Sequence, residues 1–162
     1  MELSLTTIPP TVPHTHTVVF LHGRGDNAKN FAFCLVQAKD SNRRSLPESF
    51  PSFRWVFPQS ELRESASFPG AKASQWFDIW NTSDFTQREE VQAPGLRQSV
   101  ASIRRIVANE AKDLGERYER VVLAGISQGA ATSVHTLLNL SLPTASNRLG
   151  AFMGFSCRMP FP

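Results

Sequence analysis

Two kinds of apolar run alternate along this sequence, and their spacing separates strands from helices. Thr17-Val18-Val19-Phe20-Leu21, Phe53-Arg54-Trp55-Val56-Phe57, Val121-Val122-Leu123-Ala124 and Leu149-Gly150-Ala151-Phe152-Met153-Gly154-Phe155-Ser156 are short runs rich in β-branched or aromatic residues. Runs of that kind predict strands, and the continuously apolar ones predict strands buried on both faces. Between them lie segments with helical periodicity. One runs from Ala28 to about Ala38, with Phe31, Leu35 and Val36 inward and Asp26 or Asn27 as its cap. A second places Leu96, Val100, Ile103, Val107, Ala111 and Leu114 on one face and Arg97, Arg104, Arg105, Asn109 and Lys112 on the other, with Gly115 as its C-terminal cap. A third starts after Ser127, runs to about Leu140 and is stopped by Pro143. Alternation of strand and helix predicts an α/β domain with a mostly parallel sheet over residues 17–162. Residues 1–16, with Pro9, Pro10 and Pro13, read as a flexible N-terminal arm. Residues 59–72 read as a long loop.

Composition changes this picture little. A chain of 162 residues with 41% hydrophobic and 19% charged residues is ordinary globular material for one domain. The net charge of +3 is spread without a basic block, which gives no support to nucleic-acid binding. No stretch is long and apolar enough for a signal peptide or a membrane span. Cys34 and Cys157 form no metal or disulfide framework and are expected to be buried free thiols of a cytoplasmic protein. Neither cofactor nor metal is implied.

The candidate chemistry sits at two strand ends. Val121 to Ala124 lead into Gly125-Ile126-Ser127-Gln128-Gly129, a Gly-x-Ser-x-Gly followed by small residues. A strand that turns sharply into a helix at a serine holds the hydroxyl clear of the sheet, within reach of a substrate carbonyl. Gly125 and Gly129 are expected where a side chain would strike the neighbouring backbone. The helix N-terminus adds N–H groups and a positive dipole end favourable to an oxyanion. The first strand in turn runs into His22-Gly23-Arg24-Gly25-Asp26, where two glycines in three residues mark a turn approached closely by another group.

Together, Leu21-His22-Gly23-x-Gly-Asp26 and the later Gly-x-Ser-x-Gly resemble the acyl-protein thioesterase and small carboxylesterase family of α/β-hydrolases. The resemblance implies a three-layer α/β-hydrolase fold and hydrolysis of a carboxylic ester or thioester through an acyl-serine on Ser127. The backbone N–H groups of Arg24 and Gln128 would then stabilise the oxyanion. His22, Gly23, Gly25, Asp26, Gly125 and Gly129 would support the two turns. Arg24 departs from the family, where an apolar residue is usual, but keeps the backbone donor. Gln75-Trp76-Phe77-Asp78 resembles the segment flanking the family's acyl pocket. Trp76 and Phe77 are therefore expected as pocket wall or as core, and Asp78 as a hydrogen-bonding pin for the turn. S-acylated protein, lysophospholipid and small esters all fit as substrate.

The order of groups limits this reading. α/β-Hydrolases follow the nucleophile with an Asp or Glu and then a His. Residues 128–162 contain no Asp or Glu, and the one histidine there, His135, lies eight residues into the helix, roughly 12 Å along its axis. No acid or base for Ser127 is therefore expected in the chain. The fold is expected to lack its last strands and helices, and the chain is expected to be inactive. A catalytically dead binding module, or an incomplete gene product without its own function, are the alternatives.

Overall fold

The computed structural model describes residues 2–143 and 148–161. Its centre is a five-stranded sheet in the order β1-β3-β2-β6-β7, built from β1 (Leu5–Ile8), β2 (His16–Leu21), β3 (Phe53–Pro58), β6 (Val121–Ile126) and β7 (Ala151–Phe155). β2 pairs in parallel with β3 and β6, and β6 pairs in parallel with β7. Strand periodicity divides the apolar residues between two faces. Val18, Phe20, Trp55, Phe57 and Ala124 pack beneath α1 (Ala28–Gln37) through Ala28 and Ala32, with Phe31 and Leu35 at the margin. Val19, Leu21, Val56, Val121 and Leu123 pack against α3 (Gln92–Asp113), and Ala131 of α4 (Gln128–Leu138) joins them. The result is the α/β domain with a mostly parallel sheet that the alternating pattern predicts, in the three layers that the resemblance implies.

Helix ends follow their caps. Asn27, rather than Asp26, accepts the Asn30 N–H at the start of α1. Gly115 adopts φ +74° just beyond α3 and returns its N–H to the Lys112 carbonyl. A short α2 (Leu46–Ser49) is opened by a capping box between Ser45 and Glu48.

Four sequence expectations are corrected. The arm expected over residues 1–16 holds β1, antiparallel to β3 from Leu5↔Pro58 to Ile8↔Trp55, and His16 already belongs to β2. Two β-branched threonines between Leu5 and Ile8 suit an edge strand, and Pro9 and Pro10 end it. The loop expected over residues 59–72 is a hairpin of β4 (Leu62–Ser65) and β5 (Phe68–Ser74). The last strand, expected as buried, is an edge strand: among the described residues β7 pairs with β6 alone, and Met153 and Phe155 are exposed. Cys34 and Cys157 are exposed free thiols, Cys34 beside the exposed Phe33 on α1 and Cys157 beyond the end of β7.

Close backbone approach fixes where α4 begins. A Cβ at Gly129 would stand 2.5 Å from the carbonyl oxygens of both Leu21 and His22, and one at Gly125 would stand 2.5 Å from the carbonyl of Gly129. Both obstacles are backbone and cannot swing aside. Gly129→Ala is therefore expected to destabilise the domain by about 3 kcal/mol, at the upper end of overpacking costs. Urea unfolding checks this, and a loss under about 0.5 kcal/mol, typical of a neutral surface change, would contradict the contact.

Candidate active site

Ser127 occupies the corner between β6 and α4 with φ 54° and ψ −121°, a conformation a non-glycine residue rarely adopts. Its N–H donates to the Phe155 carbonyl at 2.8 Å, and its carbonyl accepts from the Ala131 N–H at 3.1 Å. The residue is exposed while its neighbours Gly125, Gln128 and Gly129 are buried. The turn after β2 lies against this corner, because a Cβ on Gly23 would meet the Ser127 Cβ at 3.6 Å. Register explains the juxtaposition: Leu21 pairs with Gly125, so the two strands end side by side.

The first turn is held by what surrounds it. Gly25 adopts φ +83° and donates its N–H to the Ser74 carbonyl at 2.8 Å. Arg24 Nε donates to Gln75 Oε1 at 2.8 Å, so this side chain leans onto the segment after β5. Asp26 Oδ1 accepts from the Asn27 N–H and from Asn30 Nδ2, both at 2.8 Å. Asp78 acts as the expected pin: it accepts from the N–H groups of Ala66 and Ile79 and from Gln75 Nε2.

His22 is fully buried and committed on both ring nitrogens. The Ser60 N–H donates to Nε2 at 3.2 Å, which leaves the proton on Nδ1, donating to the Gly23 carbonyl at 2.8 Å. The ring therefore supports the turn and cannot also accept the Ser127 proton. The other histidines are no better placed. His16 opens β2 at the opposite end of the strand from Gly23, His14 bonds to Thr17, and His135 lines a separate pocket with Leu96 and Arg97 of α3. Among the described residues, no His, Cys, Asp or Glu side chains gather as a metal site.

A cavity of about 350 Å³ opens beside Ser127, lined by Arg24, Ile79, Thr82, Phe85, Gln128 and Arg158. The pocket residues named from the sequence are not among them. Trp76 and Phe77 are fully buried and belong to the core cluster on the α3 face. They still shape the site through their backbone. The buried Gln128 side chain accepts the Trp76 N–H at 2.8 Å and donates to the Phe77 carbonyl at 2.7 Å. Trp76 Nε1 donates to the His22 carbonyl at 2.8 Å, and Ser99 Oγ donates to the Trp76 carbonyl at 2.6 Å. The side-chain role of Gln128 was invisible in the sequence, since nothing local distinguishes a bridging glutamine from a solvated one. The lining residues Thr82, Phe85 and Arg158 also carried no motif.

Burial lowers the His22 pKa below the ordinary imidazole value near 6.5, with the Gly23 carbonyl and Asp26 opposing in part. The unfolded chain then binds more protons than the folded one between the folded pKa and about 6.5, so stability rises with pH across that window. His16 is lowered as well, by burial, Arg120 and His14, and acts in the same direction. Melting temperature is expected to fall as pH drops from 7 towards 5, and His22→Asn is expected to flatten that slope. An unchanged slope in His22→Asn, measured by thermal melts, would contradict it.

Comparison with known proteins gives the chain its family. The sequence matches the Phospholipase/Carboxylesterase family over residues 4–162. Acyl-protein thioesterase 1 of Schizosaccharomyces pombe is 30% identical over 159 residues, covering 98% of this chain and 63% of that protein. Acyl-protein thioesterase 1 of Cryptococcus neoformans var. neoformans is 31% identical over 153 residues, covering 94% and 58%. The crystal structure of Zea mays acyl-protein thioesterase 2 superposes with a TM-score of 0.71 at 22% identity, covering 99% of this chain and 64% of that one, a likeness of fold. The chain thus spans about three fifths of the length of these relatives. Its sequence and its α/β-hydrolase fold agree: the chain belongs to the Phospholipase/Carboxylesterase family.

Proposed function

We propose that this chain carries the nucleophile half of a serine hydrolase acting on a carboxylic ester or thioester. Ser127 Oγ attacks the acyl carbon, and the oxyanion so formed takes hydrogen bonds from the backbone N–H groups of Arg24 and Gln128. The alcohol or thiol then leaves with a proton, and water releases the acyl-serine as a carboxylic acid. One observation carries the reading above all: the exposed Ser127 held at φ 54° where β6 turns into α4, with the Gly23 turn against it. An S-acylated protein, a lysophospholipid or a small ester fits as substrate, the first in keeping with the thioesterase relatives. We place the reaction in the cytoplasm, in keeping with two free cysteines. No helix among the described residues is long and apolar enough to cross a membrane.

The chemistry needs a base that none of the described histidines provides, since His22 is held by Ser60 and Gly23 and the others stand away from Ser127. We therefore expect residues 1–162 alone to be nearly inactive. Loss of a catalytic triad costs on the order of a millionfold in turnover, and the oxyanion site alone retains roughly a thousandfold over water. A binding module without turnover is the second reading, supported by the cavity that stands formed beside Ser127.

Exogenous imidazole separates the two. With a fluorophosphonate probe and a chromogenic butyrate ester, residues 1–162 are expected to react barely in plain buffer. Added imidazole, acting as the base, is expected to speed labelling, and Ser127→Ala to abolish it. Labelling that never depends on Ser127 would defeat the nucleophile assignment. Stoichiometric labelling and rapid turnover without imidazole would defeat the claim that a base is lacking.

A further inference from the structure

The cavity beside Ser127 is charged in a way that a fatty-acyl site does not require. Of its seven lining residues two are arginines, Arg24 and Arg158, and none is acidic. Arg158 is anchored: its guanidinium lies 4.6 Å over the Phe85 ring, and Nη1 donates to the carbonyls of Ser83 at 3.0 Å and Thr82 at 3.4 Å. Arg24 is anchored through Nε on Gln75. Each guanidinium has five N–H donors. Among the described residues neither arginine forms an ion pair, and the Nη groups of Arg24 and the Nε and Nη2 of Arg158 have no hydrogen-bond partner. The nearby acids are engaged elsewhere. Asp84 is held by Thr86 and feels Arg158 only as its weakest influence, Asp78 is shared among Ala66, Ile79 and Gln75, and Asp26 serves Asn27 and Asn30. The positive end of α4 points into the same space at Ser127 and Gln128. Two cations each anchored by hydrogen bonds and carrying further donors, Arg24 half-buried and Arg158 exposed, in a cavity at the small end of the range for ligand pockets, suit a compact anion better than a long alkyl chain.

We propose that the Ser127 cavity selects small esters or thioesters bearing a carboxylate or phosphate a few bonds from the scissile carbonyl, held between Arg24 and Arg158. Naming a scissile carbonyl rests on the hydrolase reading above; the anion preference itself does not. The anion belongs either to the acyl side, as in a dicarboxylic monoester, or to the leaving group, as in an acylated alcohol phosphate. Both place negative charge between the same two guanidinium groups.

Binding tests this without turnover. The 162-residue chain is titrated by calorimetry and by amide NMR with monomethyl glutarate, acetylated glycerol phosphate and the neutral dimethyl glutarate. At least one anionic ester is expected to bind about tenfold or more tightly than the neutral diester, with the Gly23, Gly25 and Gln128 amides shifting. Which anionic ester binds identifies the side that carries the charge. Arg24→Gln and Arg158→Gln should each weaken the anionic ester roughly fivefold, the strength of a well-placed charge contact, and leave the neutral one unaltered. Raising salt on the unmodified chain should have the same effect, so the result does not depend on the variants folding. Equal or tighter binding of the neutral diester, insensitivity to both salt and substitution, or no binding of any of the three at millimolar concentration would overturn the proposal. Ser127→Ala is expected to keep the preference. Anion preference without imidazole-dependent labelling would sink the hydrolase reading and leave this one standing, and the reverse pattern would do the opposite.

Discussion

The side-chain amide of Gln128 is the constraint on which the site depends. It is buried, and it spans two backbone groups of another segment, taking the Trp76 N–H and giving to the Phe77 carbonyl. Each such bond contributes only about 1 kcal/mol net, but removing the amide would strand two buried backbone groups at about 1–3 kcal/mol each. The consequence is geometric. The start of α4, which carries Ser127, is tied to Trp76, and the Trp76 indole is tied to the carbonyl of His22 in the opposite turn. The Gln128 amide and the Trp76 indole thereby link the Ser127 corner to the turn after β2.

Strain and contact then act on a frame that cannot relax. A serine at φ 54° costs about 1–3 kcal/mol relative to an ordinary conformation. It persists because β6 is paired on both sides, the Ser127 N–H is bonded to Phe155, and α4 sits so close to the β2 turn that only Gly129 fits. The packing of Val19, Leu21 and Leu123 against Ile103 and Val107 of α3 fixes the strand ends on one face, and α1 fixes them on the other. α3 also reaches the site directly. Gly95 lets it press on the Phe77 backbone, and Ser99 satisfies the Trp76 carbonyl.

Much of this was legible in the sequence because it rests on local physics. The strands at Thr17 and Val121 showed themselves by continuous β-branched runs, α3 by its period, and the corner at Ser127 by glycines that only close approach requires. Edges were harder to read. Leu5 to Ile8 became a strand because β3 offered an unpaired neighbour, and Leu149 to Ser156, read as buried by its composition, yielded an exposed strand because β6 pairs it on one side only. The hairpin of β4 and β5 contains Pro69, Gly70 and several serines without clear alternation, so it read as a loop. Side-chain commitments across the chain were out of reach altogether. That His22 answers to Ser60, Arg24 to Gln75 and Gln128 to Trp76 depends on contacts between residues dozens of positions apart.

Amide hydrogen exchange at Trp76 measures the central link most directly. The account predicts that the Trp76 backbone N–H is strongly protected, and that Gln128→Leu lowers its protection, together with that of the indole N–H bonded to His22, by about tenfold or more, the factor that follows from losing about 1.4 kcal/mol of local stability. The Leu123 amide within β6, bonded in the middle of the sheet, should keep its protection. Trp76 exchanging at the same rate in both proteins, or losing protection only in step with Leu123, would contradict the claim that Gln128 holds the two loops of the site together.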